Sequence, residues 1–132
     1  MKIANFTDGI KCDFKVVPYY YSSDNDTRYT SLQSSVASVY TLKQLPAPTV
    51  TRNGTKVKVK WTNINGESGY QISRSTSKTG TNIVLTNTYT TDTYNNVSAT
   101  KGTGYYYKVR AYKTVNGTKI YAPWSNVKYY KR

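Results

Sequence analysis

The chain of 132 residues holds 15 tyrosines, a single cysteine and no histidine, and its formal net charge is +13. That length suits one sandwich-sized domain plus a remainder too short to bury a core of its own. One cysteine excludes an intramolecular disulfide, and without histidine the usual zinc and copper ligand sets cannot be assembled, so neither a metal site nor another cofactor is expected.

Tyrosine, threonine, serine and asparagine are abundant while leucine and alanine are scarce, a composition that favours strands and points to an all-β fold. The charge is uneven: positions 1–45 carry a net +1 and positions 46–132 a net +12, with Glu67 and Asp92 the only acids of the second part. Such a field attracts polyanions, which fixes the sign of a partner and not its identity. No apolar run has the length of a membrane span or a signal-peptide core, so a secreted location is an inference under which the chain is a processed product or an excised fragment.

Near the start, Gly9, Phe14, Lys15, Val16 and Tyr19 match Gly102, Tyr107, Lys108, Val109 and Tyr112 at one constant spacing. Thr27, Ser34 and Val36 then match Thr118, Ser125 and Val127 after a two-residue insertion. Residues 1–42 are therefore expected to be the last two strands of a partial domain, 43–48 a proline-containing joint, and 49–132 a complete copy. Asp24-Asn25-Asp26 has the beginning of a calcium loop but lacks its glycine and distal glutamate, and reads as a turn. An isolated strand pair cannot bury Phe14, Val16 and Val36 unaided. Three outcomes are open for it: packing on the complete domain, completion by another copy or chain through strand donation, or truncation.

After the joint, whose Pro46 and Pro48 stiffen the chain and block edge pairing, a short lead-in covers 48–51. Residues 56–61 (KVKVKW) alternate strictly, placing Val57, Val59 and Trp61 on one face and three lysines on the other. Residues 69–75 repeat the pattern with Tyr70 and Ile72 inward, and further strands are expected at 82–86, 88–94, 105–112 and 126–130. Asn53-Gly54, Asn65-Gly66 and Asn116-Gly117 mark turns between them. About seven strands result, the number a small sandwich needs.

Pro46-x-Pro48, Trp61 at the end of the second strand, the run Gly69-Tyr70-x-Ile72-x-Arg74, and Gly102-x-x-Tyr105 before Tyr107-Lys108-Val109 together resemble the fibronectin type III family over 46–132. A partial copy covers 1–42, with Cys12 standing where the second copy has Tyr105. More narrowly, YYYKVRAYKTVNGTK followed by PWSNVK is similar to repeats in surface proteins and wall hydrolases of clostridia and related Firmicutes. The resemblance implies an immunoglobulin-like antiparallel sandwich in which Trp61, Tyr70, Ile72, Tyr105, Tyr107 and Val109 are structural, Tyr105 holding the tyrosine-corner position. It also implies a bacterial, extracellular or cell-wall setting.

No acidic pair has a spacing that sets two carboxylates across a cleft, and without histidine no ordinary Ser-His-Asp or Cys-His arrangement exists, so no enzymatic activity is expected. Cys12 reads as a small core filler. The Asn-x-Ser/Thr triplets at Asn5, Asn25, Asn53, Asn96 and Asn116 follow from composition alone.

One surface invites a binding role. With Tyr105, Tyr107, Val109 and Ala111 inward, Tyr106, Lys108, Arg110 and Tyr112 face out, joined in this reading by Lys128 and Tyr130 from the last strand. Tyrosines stack on sugars or bases while lysine and arginine neutralise phosphate, so an anionic wall polymer or carbohydrate is the expected partner. Cross-strand Tyr–Lys pairs also stabilise a sheet with no partner at all, and Lys56, Lys58 and Lys60 on the opposite sheet read as a solvated face. Nucleic acid ranks last, since no recognition helix or single-strand platform is recognisable. The expectation is a non-catalytic surface spacer or adhesive module. The alternatives are an assembly protein that pairs with itself through the incomplete N-terminal domain, or an accessory module of a secreted wall hydrolase or phage protein.

Overall fold

The computed structural model describes residues 11–80 and 83–132, without the side chains of 87–89. They fall into two compact units, Lys11–Tyr40 and Thr41–Arg132. All regular structure among the described residues is strand. The repeat position Gly9, the triplet at Asn5 and the expected strand start at Asn82 lie outside the described residues.

The larger unit holds β5 (Thr49–Asn53), β6 (Lys56–Lys60), β7 (Gly69–Ser75), β8 (Ile83–Tyr89), β9 (Thr93–Asn96), β10 (Gly104–Val115), β11 (Thr118–Tyr121) and β12 (Lys128–Lys131). They form two antiparallel sheets, one ordered β5-β6-β9 and the other β11-β10-β7-β8, with β12 also on β10. The chain changes sheet between β6 and β7, between β8 and β9, and between β9 and β10, the Greek-key pattern of a sandwich.

The core forms where the two alternating patterns meet. Val57, Val59 and Trp61 from one sheet bury against Tyr70, Ile72, Tyr105, Tyr107, Val109 and Ala111 from the other. The Trp61 and Tyr70 rings lie 5.3 Å apart, and the Tyr70 hydroxyl accepts a hydrogen bond from the Ile64 amide at 2.9 Å. The Asn96 amide, fully buried, donates to the Tyr107 hydroxyl at 3.0 Å, tying the two sheets through one polar pair. The Thr100 amide donates to the Tyr105 hydroxyl at 3.2 Å, the geometry of a tyrosine corner.

Four expectations differ from the structure. The run 88–94 is not one strand: β8 ends at Tyr89, the chain bends, and β9 begins at Thr93. Local bonds from Thr91 Oγ1 to the Thr93 carbonyl (3.2 Å) and from Thr93 Oγ1 to Asp92 (3.0 Å) hold the bend that carries the chain across to β6. β10 extends to Val115, and β11 forms on the far side of Asn116-Gly117, where the sequence reading has only a loop. The last strand is β12, beginning at Lys128 instead of Asn126. Finally, Leu45 and Pro48 of the expected joint are buried against the sandwich, so this stretch packs as part of the larger unit.

Asn116 (φ 49°) and Gly117 (φ 78°) both lie in the left-handed region, as a two-residue hairpin turn requires. A Cβ at Gly117 would meet nothing, so Gly117→Ala costs only backbone strain. The expected loss is about 1 kcal/mol, measured by denaturant unfolding.

The smaller unit holds β1 (Lys11–Phe14), β2 (Tyr19–Ser22), β3 (Thr27–Thr30) and β4 (Ala37–Tyr40), with β1 paired to β4 and β2 to β3. Its ladders repeat those of β10 with β11 and β12 pair for pair. Lys11 opposes Tyr40 as Gly104 opposes Lys131, and Tyr19 opposes Thr30 as Tyr112 opposes Tyr121. Even the irregular link is reproduced: Ser34 Oγ accepts from the Val16 amide at 2.9 Å, and Ser125 Oγ accepts from the Val109 amide at 3.0 Å.

Candidate functional site

β10 runs between β7 on one side and β11 and β12 on the other. With Tyr105, Tyr107, Val109 and Ala111 committed to the core, strand alternation sends Tyr106, Lys108, Arg110 and Tyr112 to the outer surface. Their cross-strand neighbours on that surface follow from the register. Gln71 opposes Arg110, Tyr121 opposes Tyr112, and Tyr129 opposes Tyr106.

These side chains interleave. The Tyr106 and Tyr129 rings lie 5.0 Å apart. Lys108 Nζ sits 4.7 Å from the Trp124 ring, and the Arg110 guanidinium lies between two rings, 4.3 Å from Trp124 and 3.9 Å from Tyr121. Tyr121 is 5.9 Å from Tyr112, whose ring carries Lys119 Nζ at 4.3 Å. The result is a ladder of alternating aromatic and cationic groups along the sheet face, each contact of ordinary cation–π strength. Arg110 Nε also donates to Gln71 Oε1 at 2.7 Å, which fixes the guanidinium plane.

Trp124 enters through an interruption of the last strand. Between β11 and β12 the chain steps away from β10, anchored by the Ala122 amide on the Ala111 carbonyl (3.0 Å) and the Ser125 amide on the Val109 carbonyl (2.9 Å). The Trp124 carbonyl accepts from Gln44 Nε2 at 2.5 Å. This bulge lays the indole flat between Lys108 and Arg110.

The two acids of 46–132 lie elsewhere, Asp92 at 3.8 Å from Lys60 and Glu67 beside the Tyr70 hydroxyl. Lys108 is instead held below the ordinary lysine range, first by partial burial and then by the neighbouring Arg110 charge, and burial likewise lowers Arg110. An anion placed here would offset the repulsion between Lys108 and Arg110. Lys108 should therefore discharge below the ordinary lysine range, and polyanion affinity, followed by titration at increasing pH, should begin to fall as it does so.

The expected face is only partly assembled. Tyr106, Lys108, Arg110 and Tyr112 share the outer surface, although Tyr112 is buried beneath Lys119 and Tyr121. Lys128 and Tyr130 do not join them: Lys128 opposes Tyr107 and Tyr130 opposes Tyr105, on the core side, where Tyr130 packs against the core. Tyr129 takes the outward place. Sequence reasoning missed Trp124, Tyr121 and Lys119, of which Lys119 and Tyr121 were accessible from the two-residue turn that pairs Val115 with Thr118.

No protein-family model matches the chain, and no curated protein is significantly similar to it. Among solved structures the chain is similar to an Fn3-like protein from Clostridium thermocellum, at 22% sequence identity and a TM-score of 0.51, over 63% of this chain and 86% of that one. The two-sheet antiparallel topology and this likeness establish a fibronectin type III-like, immunoglobulin-like β-sandwich. No helix among the described residues is long and apolar enough to cross a membrane.

Proposed function

We propose that the chain is a non-catalytic extracellular or cell-surface module, a spacer or adhesive element retained by anionic wall polymers through the ladder on the outer face of β10. The observation that carries this reading is the alternation of Lys108, Trp124, Arg110 and Tyr121 in one contiguous stack, on a part of the chain with a net charge of +12. Cations at fixed spacing neutralise phosphates, and aromatic faces between them stack on the sugars or glycerol carbons of the same polymer. Weak contacts repeated along a polymer give retention by multivalency. Pelleting with isolated Gram-positive walls is the test. Binding should be lost when teichoic acids are stripped or salt is raised, whereas no binding at low salt would reject the retention idea.

A second reading, assembly or adhesion through strand complementation of a partial domain at 11–40, is favoured by the apolar side chains that unit leaves uncovered. Val16, Val36 and Val39 are 68%, 49% and 52% exposed.

A further inference from the structure

The rings on the outer face of β10 differ in what lies on them. Trp124 carries Lys108 and Arg110, Tyr121 carries Arg110, and Tyr112 carries Lys119. Each of these rings is taken up by a cation of the protein itself, and Tyr112 is buried besides. Tyr106 and Tyr129, at the other end of the face, are different. Among the described residues no cation lies over either ring, and Tyr129 is 51% exposed. The two rings lie 5.0 Å apart, inclined at 52° to each other.

The sheet makes room for this pair at Gly104. Gly104 precedes Tyr106 by two residues on the outward side of β10, and Tyr129 stands diagonal to it on β12. A Cβ at Gly104 would lie 2.7 Å from both Cζ and Cε2 of Tyr129, and closer still to its hydroxyl oxygen, so the ring rests against bare backbone. Gly104 is outside the left-handed region, so its own conformation does not call for glycine; the ring laid over it does. Lys131 opposes Gly104 on the same outward side and offers hydrogen-bond donors at the edge of the platform.

Uncovered aromatic faces suit a ligand ring with an apolar C–H face and a polar rim, which describes a pyranose. Lys108 follows Tyr106 by two residues on the same strand face, about 7 Å along β10. Stacking and charge are therefore offered side by side, within reach of one sugar and the phosphate next to it.

We propose that Tyr106 and Tyr129, seated over Gly104, form a sugar subsite that takes a hexopyranose carried as a substituent on the anionic polymer whose phosphates Lys108 and Arg110 hold. The inference rests on the wall-polymer reading and adds to it a selection of glycosylated over bare polymer.

The test compares two glycerol-phosphate oligomers of equal length, one bare and one bearing glucose on its glycerol units, titrated at low salt into the full chain and three variants. The unmodified chain should bind the glucosylated oligomer roughly tenfold more tightly, within the range of one aromatic stacking contact. Tyr129→Ala removes the ring, and Gly104→Ala pushes it off the strand without straining the backbone. Both should abolish the preference and leave affinity for the bare oligomer within about twofold, since the cations that hold phosphate are untouched. Tyr129→Phe keeps the ring and should keep the preference. A tyrosine packed over a sheet glycine also stabilises the sheet. A purely structural role would lower the unfolding midpoint in the variants and leave the ratio of the two affinities as it was, which overturns the subsite. Equal affinity of the unmodified chain for both oligomers also overturns it, with the wall-polymer reading left standing. Binding of neither oligomer overturns that reading and the subsite together.

Discussion

Tyr107→Ala is expected to cost the larger unit about 3–5 kcal/mol, the range for truncating a fully buried aromatic side chain. The ring touches the centre of the core, and its hydroxyl is the acceptor for Asn96, so the substitution opens a cavity and strands an amide together. For a domain of this size that is a large part of the whole stability. Tyr107→Phe separates the two effects: the cavity is avoided, and the expected loss of about 1–3 kcal/mol is that of the unpaired amide. Both are read from denaturant midpoints. Adding Asn96→Leu to Tyr107→Phe should restore part of the loss. The pH dependence has a definite sign. Burial raises the Tyr70 and Tyr107 phenols above the ordinary tyrosine range, so their contribution to stability is complete below that range and is lost as pH rises through the folded-state values. Hydrogen bonds from Thr100 lower Tyr105, which acts in the opposite direction.

The second large effect concerns binding. Arg110→Gln, which removes the charge from the middle of the ladder, should weaken affinity for a polyanion on the order of tenfold and reduce its salt dependence. Trp124→Ala should also weaken binding, through the lost stacking surface and the freed Lys108 and Arg110 side chains, with the salt dependence little changed. The control is Lys56→Gln with Lys60→Gln, which removes more charge from the opposite sheet. If long-range field alone holds the polymer, this control weakens binding more than Arg110→Gln does, and the ladder has no special role.

Some of this was legible in the residues and some was not, for identifiable reasons. The core was readable wherever a strand is half-buried, because KVKVKW and the run from Tyr105 to Ala111 show the two-residue period directly. The bend between β8 and β9 was not, since Thr91 and Thr93 are strand-compatible and the turn is held by local bonds, Thr91 Oγ1 to the Thr93 carbonyl and Thr93 Oγ1 to the Asp92 carboxylate. The expected face failed on parity. A two-residue turn sets even-numbered residues of β10 opposite odd-numbered ones on the returning strand, and the Trp124 bulge adds two residues, which preserves that parity. Tyr129, not Lys128 or Tyr130, was therefore the consistent choice. Trp124 itself had no periodic signal, because a bulge and not a strand aims it.

The repeat was visible as matched residues, but its depth appears only in the hydrogen bonds. Serines at 34 and 125 replace a backbone partner in the same way, and Arg28 lies over Tyr19 at 4.3 Å as Lys119 lies over Tyr112 at 4.3 Å. Sequence alone marked those serines as repeat positions without their role.

The most direct measurement is amide and side-chain NMR mapping of the chain titrated with a defined glycerol-phosphate oligomer at low salt. The account predicts saturable shifts gathered on Lys108, Arg110, Tyr112, Lys119, Tyr121 and Trp124, reversed by added salt. Shifts centred on Lys56, Lys58 and Lys60, or spread over every exposed lysine, would contradict it.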